Sequence, residues 1–552
     1  MRRTPNRLWQ RRWHRPLTTL LVCALALPAP IAATAQVRLP ALGESASDDL
    51  SVAAEKRVGE QIMREGRRDP TYLDDAVLLD YLQSIWAPLV AAARERGDID
   101  ADTDRAFAWE AFLLSERSVN AFALPGGYVG MHLGLIAVTT TRDQLASVMA
   151  HELAHVTQRH IARSIAPSSR ASMIGLAAII LGVLAASRGA SADVANAAIT
   201  GGQAAAIQGQ LNFSREMERE ADRLGYGMLG SAGFDVIGMS EMFERMDAAQ
   251  RFTDSGNFPY LRSHPLTVDR VAEARSRTLV RDRAAGPRLA GAPLLHALMQ
   301  ARSRVLMDSS VQGLQRLVTG ASASPLSQDR LAATYGGVLA AVRLKDASRL
   351  ATLATPLDDA LATASREPLR EPLAVRALQL AKAELLMARN QPAEATRWLT
   401  QIGAAEGASP RSLLLLRGQA TVEWHVQDTA AAASELRRAT EDLQTWVADH
   451  GGDGPAWDLL ARTADAAGLK LRSMRASAEA RAAVGDLNGA IDRLRAAQGQ
   501  SRSVSGQDFI EASVIDARLR RLTAERRQIA LDARGESRGG RDLPDPDAPP
   551  PR

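Results

Sequence analysis

"MAHELAHVTQRH", residues 149–160, sets two histidines four residues apart with a glutamate directly after the first. On a helix, positions i and i+4 share a face, so His151 and His155 can present two imidazoles to a single ion. Glu152 lies about 100° further round the helical wheel. That puts its carboxylate beside such an ion rather than on it, where a general base for a metal-activated water belongs. The neighbours argue against coincidence. Leu145, Val148, Met149, Leu153 and Val156 make the remaining faces apolar, which predicts a buried helix whose polar side chains need partners. An ordinary core histidine accounts for one such group, whereas a metal accounts for three together. Thr141-Arg142-Asp143-Gln144 fits a capping box that starts the helix near residue 141.

Two histidines leave a catalytic zinc site short of a third protein ligand. In the contiguous metzincin arrangement positions 158 and 161 are Gly and His; here they are Gln158 and Ile161, which excludes that class. His160, five residues after His155, points off the metal face of a continuous helix and reads as a surface residue. The better source is "SREMEREADRLG", residues 214–225. Glu218 and Asp222 again stand at i and i+4, so one carboxylate can bind the ion while the other accepts the free N–H of a ligand histidine. Glu220 competes for the ligand role but faces away from Asp222, towards solvent.

A chain of 552 residues exceeds what one hydrophobic core organises, which predicts two or more domains. The net charge of +4 is misleading, because the first 35 residues carry six arginines and no acid. Without them the remainder is net negative by two, and basicity is no argument for a nucleic-acid partner. Those residues have the form of a secretory signal: an arginine-rich start, an apolar stretch from Leu17 to about Ala33, and Ala33-Thr34-Ala35 before Gln36. Pro28 and Pro30 shorten the apolar run below the roughly 20 residues of a membrane span. Cys23, the only cysteine, lies within it, so the mature chain is expected to hold no disulfide and to depend on packing.

Residues 48–97 carry helical spacing in Val52, Val58 and Ile62, then in Leu78, Leu79, Leu82 and Ile85. From Phe107 to Val138, short apolar runs around "LPGG" (124–127) predict strands about a tight turn. The stretch Met173–Ala186 is 14 apolar residues, open to reading as a buried helix or as a membrane-touching or substrate-covering loop. The Ala/Gly-rich segment 189–209 after it has the look of a lid. "RAAGPRLAGAP" (283–293) reads as a linker, with a break near residue 284. Beyond it come Ala/Leu-rich helical stretches separated at 389–395, 426–433 and 484–491, an α-solenoid of helical hairpins loosely matching a 34-residue period. Trp457, Leu460 and Ala461 sit where a tetratricopeptide repeat places its first-helix packing residues. The last stretch, from 534, is expected to be disordered.

"HELAH" with "EREAD", preceded by "NAFALPGGYVGMHLGLI" (120–136) and followed by "SHPLTVDRV" (263–271), resembles the gluzincin metallopeptidase family of the CAAX prenyl peptidases and the bacterial heat-shock membrane protease. The resemblance covers about residues 50–275. The signal and the helical repeats look most like its soluble periplasmic branch. It implies a mainly α protein of five parts: signal peptide 1–35, zincin-like α+β metalloprotease domain 36–283, linker 284–293, tetratricopeptide-like α-solenoid 294–533 and tail 534–552. It further implies one zinc per chain on His151, His155 and Glu218, with Glu152 as general base and Asp222 as the support of a ligand histidine. His264, before Pro265, is open to three readings: oxyanion stabiliser, occupant of the open zinc position at rest, or a histidine hydrogen-bonded near a helix start. Arg270 is a candidate transition-state donor. Asn120, Ala121, Phe122 and Ala123 would offer an edge strand to an extended substrate.

The function implied is a periplasmic zinc endopeptidase that degrades misassembled outer-membrane β-barrel proteins or assists their assembly. Its repeat domain would dock on the barrel-assembly machinery, with peripheral membrane contact and no nucleic acid. Two other readings stand beside it: a chaperone or scaffold with a latent metal site, and an inner-membrane protease held by an uncleaved signal.

Overall fold

The computed structural model describes residues 51–164, 214–252, 259–279, 292–308, 310–320, 327–366, 371–406, 409–501 and 507–536. The signal, the apolar stretch 173–186, the segment 189–209, most of the expected linker and the tail beyond residue 536 lie outside the described residues.

Apolar periodicity builds the first elements. Helix α1 (Val52–Gly66) begins where the Ser51 hydroxyl accepts from Ala54 N–H, and buries Val58, Ile62 and Met63. A two-residue strand, β1 (Tyr72–Leu73), leads to α2 (Ala76–Glu95), capped by Asp75. By length and composition α2 could cross a membrane, yet Leu78, Tyr81, Leu82, Ile85, Trp86 and Leu89 are each at most 2% exposed, so it is a core helix. A short α3 (Ala101–Ala106) precedes β2 (Glu110–Leu114), β3 (Ala121–Leu124) and β4 (Tyr128–His132).

The sheet order is β1-β2-β4-β3, with β2 and β4 parallel and the outer pairs antiparallel. The "LPGG" turn joins β3 to β4. Gly126 and Gly127 stand at φ +79° and +91°, and a Cβ on Gly127 would lie 2.8 Å from the Phe107 side chain, so both positions demand glycine. Strand does not continue to Val138 as the sequence suggested. Leu133–Val138 forms a helix, α4, buried along Leu133–Ile136. A short, unbroken apolar run carries no period by which buried strand and buried helix can be told apart.

Helix α5 (Arg142–Thr157) runs through the centre against α2 and β3, with nearly every residue buried. Its start is the expected cap in modified form. The Thr141 hydroxyl accepts from Gln144 N–H, while the Gln144 side chain accepts from Thr140 N–H, one residue earlier than in the standard box. Then follow α6 (His160–Ser164), α7 (Arg215–Ser231), α8 (Ile237–Phe252), α9 (Tyr260–Ser263) and α10 (Val268–Leu279), with α7 and α8 packed on α5.

From residue 293 the elements among the described residues are all helices: α11 (Pro293–Met307), α12 (Val311–Gly320), α13 (Ser327–Leu344), α14 (Ala347–Ala364), α15 (Pro372–Ala388), α16 (Pro392–Glu406), α17 (Arg411–Gln427), α18 (Thr429–Asp449), α19 (Gly454–Ala466), α20 (Lys470–Ala483), α21 (Leu487–Ser501) and α22 (Gln507–Glu536). The breaks at 389–395, 426–433 and 484–491 each contain an interhelical turn, and Trp457, Leu460 and Ala461 are buried on α19. Helix α22 runs three residues into the stretch expected to be disordered. The protein is therefore mainly α.

Helices before and after the Gly/Pro-rich stretch near residue 284 share a core. One hydrophobic cluster runs from Val58 to Leu385 and takes in α11 to α15. His296 on α11 receives Tyr81 Oη at 2.7 Å on its Nδ1 and lies 2.9 Å through Nε2 from the Thr139 carbonyl. Arg302 bonds Asp75 at 2.8 Å, and Arg411 bridges Asp74 to Asp453. The amphipathic faces of α11 to α15 close over the same core that α2 and α4 begin.

His132 and His296 are at most 1% exposed, and burial holds both imidazoles down to about 4. In the unfolded chain they titrate near 6.5. The unfolded state therefore binds more protons between pH 6.5 and 4, so stability should fall as pH drops through that window and level off below it. At pH 5 each histidine contributes at most about 2 kcal/mol of that loss. Urea midpoints of the wild type at pH 7 and 5 should differ by more than those of His296→Gln, and equal differences would sink the burial account.

Candidate metal centre

Helix α5 delivers His151, Glu152 and His155 into the core, where they are 2%, 0% and 1% exposed. Helix α7, capped by Ser214, lays Glu218 and Asp222 against them. This approach needs small residues at the crossing: a Cβ on Gly225 would meet the Ala150 and His151 backbone at 3.1 Å, and Ala221 is fully buried there. His264 arrives at the carboxy-terminal cap of α9, and Arg270 from α10.

One ligand atom from each of His151, His155, Glu218 and His264 falls within a 4.8 Å cluster. The Nε2 atoms of His151 and His155 are 3.0 Å apart, and each is 3.5 Å from a Glu218 oxygen. His264 Nδ1 lies 2.9 Å from Glu218 Oε1 and 3.3 Å from His151 Nε2. Neighbouring ligand atoms of a tetrahedral zinc at its usual bond lengths are about 3.3 Å apart, so the donor set fits that ion. A second observation agrees. Both carboxylate oxygens of Glu152 are buried without a hydrogen-bond partner, with His264 Nε2 3.5 Å from Oε1. An orphaned carboxylate in a dry core is costly unless a cation or a reactant completes its surroundings.

The electrostatics favour positive charge at this point. Burial opposes charging of His151, but Asp222, 3.0 Å from its Nδ1, and Glu218 outweigh it and push the imidazole up to about 10. His155 is held well below its ordinary range, first by burial and then by the His151 and His264 charges. Burial would raise the Glu218 carboxyl, but His264 and His151 drive it far below the usual carboxylate range.

Asp222 is gripped by Arg270 in a bidentate pair at 2.7 and 2.9 Å. Arg270 Nη1 also reaches Glu218 Oε2 at 2.8 Å and the Pro265 carbonyl at 2.9 Å. Its three nitrogens each contact the two acids or the His264 segment, so in this structure Arg270 supports the cluster from behind. His160 was expected at the surface and is fully buried against His155. The reason is a break in the helix: Arg159 takes φ +51°, so α6 starts in a new direction. Glu220, read as solvated, is partly buried and meets His160 and Arg163. Tyr260 went unnamed at the sequence level. It stacks on His264 with ring centroids 4.6 Å apart, and its spacing of four residues from His264 was the available signal.

β3 ends the sheet order and, among the described residues, pairs only with β4. Asn120 lies just before it and holds the register through its carbonyl, which accepts from His132 N–H at 3.0 Å.

A helix-borne His-His pair, a carboxylate from a second helix and an unpartnered glutamate beside them define a zinc metallopeptidase of the gluzincin type. Residues 83–278 match the profile of peptidase family M48. The chain is 39% identical over 263 residues to the putative beta-barrel assembly-enhancing protease of Vibrio cholerae, covering 48% of this chain and 52% of that protein. It is 28% identical over 514 residues to the beta-barrel assembly-enhancing protease of Escherichia coli, covering 93% of this chain and 97% of the relative. The mitochondrial metalloendopeptidase OMA1 of Schizosaccharomyces pombe is 34% identical over 163 residues, 30% of this chain and 44% of that enzyme.

Replacing the carboxylate behind His151 should weaken zinc binding. Asp222→Asn is expected to lower zinc affinity by about 10- to 100-fold in chelator competition. Gly225→Val, which forces α7 away from α5, should do at least as much. Wild-type affinity in both variants would contradict the geometry described.

Proposed function

We propose that the protein is a zinc-dependent endopeptidase of the bacterial envelope that acts on unfolded or misassembled outer-membrane β-barrel proteins. The observation that carries this reading is Glu152: a fully buried carboxylate without a hydrogen-bond partner, beside a cluster fit for zinc. The relatives in Vibrio and Escherichia, named for β-barrel assembly, support the substrate class. Export through residues 1–35 to the periplasm, and docking of the helical domain on the assembly machinery, belong to the same proposal.

His151, His155 and Glu218 would hold the zinc, which when bound supplies Lewis-acid polarisation of a water and of the scissile carbonyl. Glu152 takes the proton from the attacking water and returns it to the leaving amine. Asp222 and Arg270 hold His151 and Glu218 in place. An extended substrate adds to the free edge of β3 as a further strand. That mode reads backbone more than side chains and suits substrates that are themselves unpaired β-strands.

His264 stands within the ligand cluster, which favours its role as occupant of the fourth position at rest. Substrate would have to displace it, leaving the enzyme latent until engaged. The same observation keeps a chaperone or scaffold reading alongside, in which the helical domain acts while the metal site stays closed.

Glu152→Gln should retain one zinc per chain and lose cleavage of casein or of an unfolded barrel protein by about 100-fold or more. Undiminished cleavage would remove the assigned base. His264→Ala should raise cleavage if the histidine blocks the site. A fall would instead favour the oxyanion role, and no change would eliminate both.

A further inference from the structure

His155 faces the cluster through Nε2, which leaves Nδ1 to be satisfied from outside. The atom it meets belongs to another imidazole, His160 Nδ1 at 2.9 Å. On its far side His160 Nε2 lies 3.1 Å from Glu220 Oε2, which also accepts from Arg163 Nη1 at 3.0 Å. The hydrogens can be assigned without conflict. His155 Nδ1–H donates to His160 Nδ1, which makes His160 the Nε2–H tautomer, and that N–H donates to Glu220.

We infer that His160 is a positioning residue for the metal centre, orienting His155 through its outer nitrogen and carrying the influence of the Glu220–Arg163 ion pair to it. The parallel with the other ligand histidine supports this. His151 is backed directly by Asp222, itself held by Arg270. His155 is backed by the same kind of carboxylate and arginine, with one imidazole interposed.

The backbone invests in this contact. On an uninterrupted helix a residue five positions after His155 projects elsewhere. The left-handed turn at Arg159, unusual for a side chain of that size, re-aims His160 onto His155. Arg159 is fastened by Glu55 of α1 at 2.7 Å, a carboxylate only 2% exposed. A histidine present merely to fill the core would need neither the strained turn nor its clamp.

The inference rests on the zinc reading of the cluster, and the test separates the two. Zinc affinity is measured on the full exported chain by competition with a chromophoric chelator, alongside thermal melting of the metal-free protein. His160→Ala should bind zinc about 10- to 100-fold more weakly than wild type. His160→Asn, whose amide oxygen can sit near the former Nδ1 and accept from His155, should recover most of that loss. Glu220→Gln, which keeps the shape and removes the charge, should fall between them. At saturating zinc, KM for peptide should stay unchanged in all three.

Wild-type zinc affinity in His160→Ala overturns the inference, as does an asparagine variant no better than alanine. If His160→Ala fails to fold, the partly exposed Glu220 carries the test, and undiminished affinity in Glu220→Gln overturns it. A wild-type protein that binds no zinc would overturn the zinc reading itself and the inference with it.

Discussion

Three ionisable side chains of one helix turn are carried into a dry core, and the surrounding architecture answers that cost. His151, Glu152 and His155 are at most 2% exposed, where an unpaired charge costs several kcal/mol or more. His264 approaches Glu152, while Glu218 and Asp222 meet the imidazoles, and Arg270 in turn holds those two acids. Each of these four partners comes from an element outside α5. The position of α7, α9 and α10 follows from the need to bring carboxylates and an imidazole onto one helix face and a guanidinium behind those carboxylates.

Close approach is what permits it. Carboxylates on α7 reach the imidazoles on α5 because Gly225 and Ala221 let the helices cross almost backbone to backbone. Arg270 then ties two acids that would otherwise repel each other. The wider fold secures this arrangement by burial. Helices α11 to α15 share one core with α2 and α4, and Thr139, two residues before the α5 cap, is held by His296. The helical region is therefore part of the support of α5.

Much of this was legible in residue order. The i, i+4 histidines with their intervening glutamate, the Glu218–Asp222 pair, the capped start of α5, the glycine turn before β4 and the Ala/Leu hairpins are local patterns, and local periodicity is what sequence displays best. Misreadings arose where locality ends. Leu133–Val138 had no period to separate strand from helix. Which acids Arg270 holds is set by its place on α10, and no local pattern displays that. That helices beyond the Gly/Pro-rich stretch near 284 share a core with those before it is likewise a non-local fact.

By itself the sequence determined that α5 carries two imidazoles on one face and a carboxylate beside them, because 3.6 residues per turn allows nothing else. It likewise determined that an acidic helix some sixty residues on could complete the set. Only the tertiary structure decided which histidines join them. His264 comes from 109 residues beyond His155, a separation no helical wheel can bridge. His160 lies five residues away, yet its direction depends on a left-handed turn at Arg159 that Glu55, more than a hundred residues earlier, holds in place.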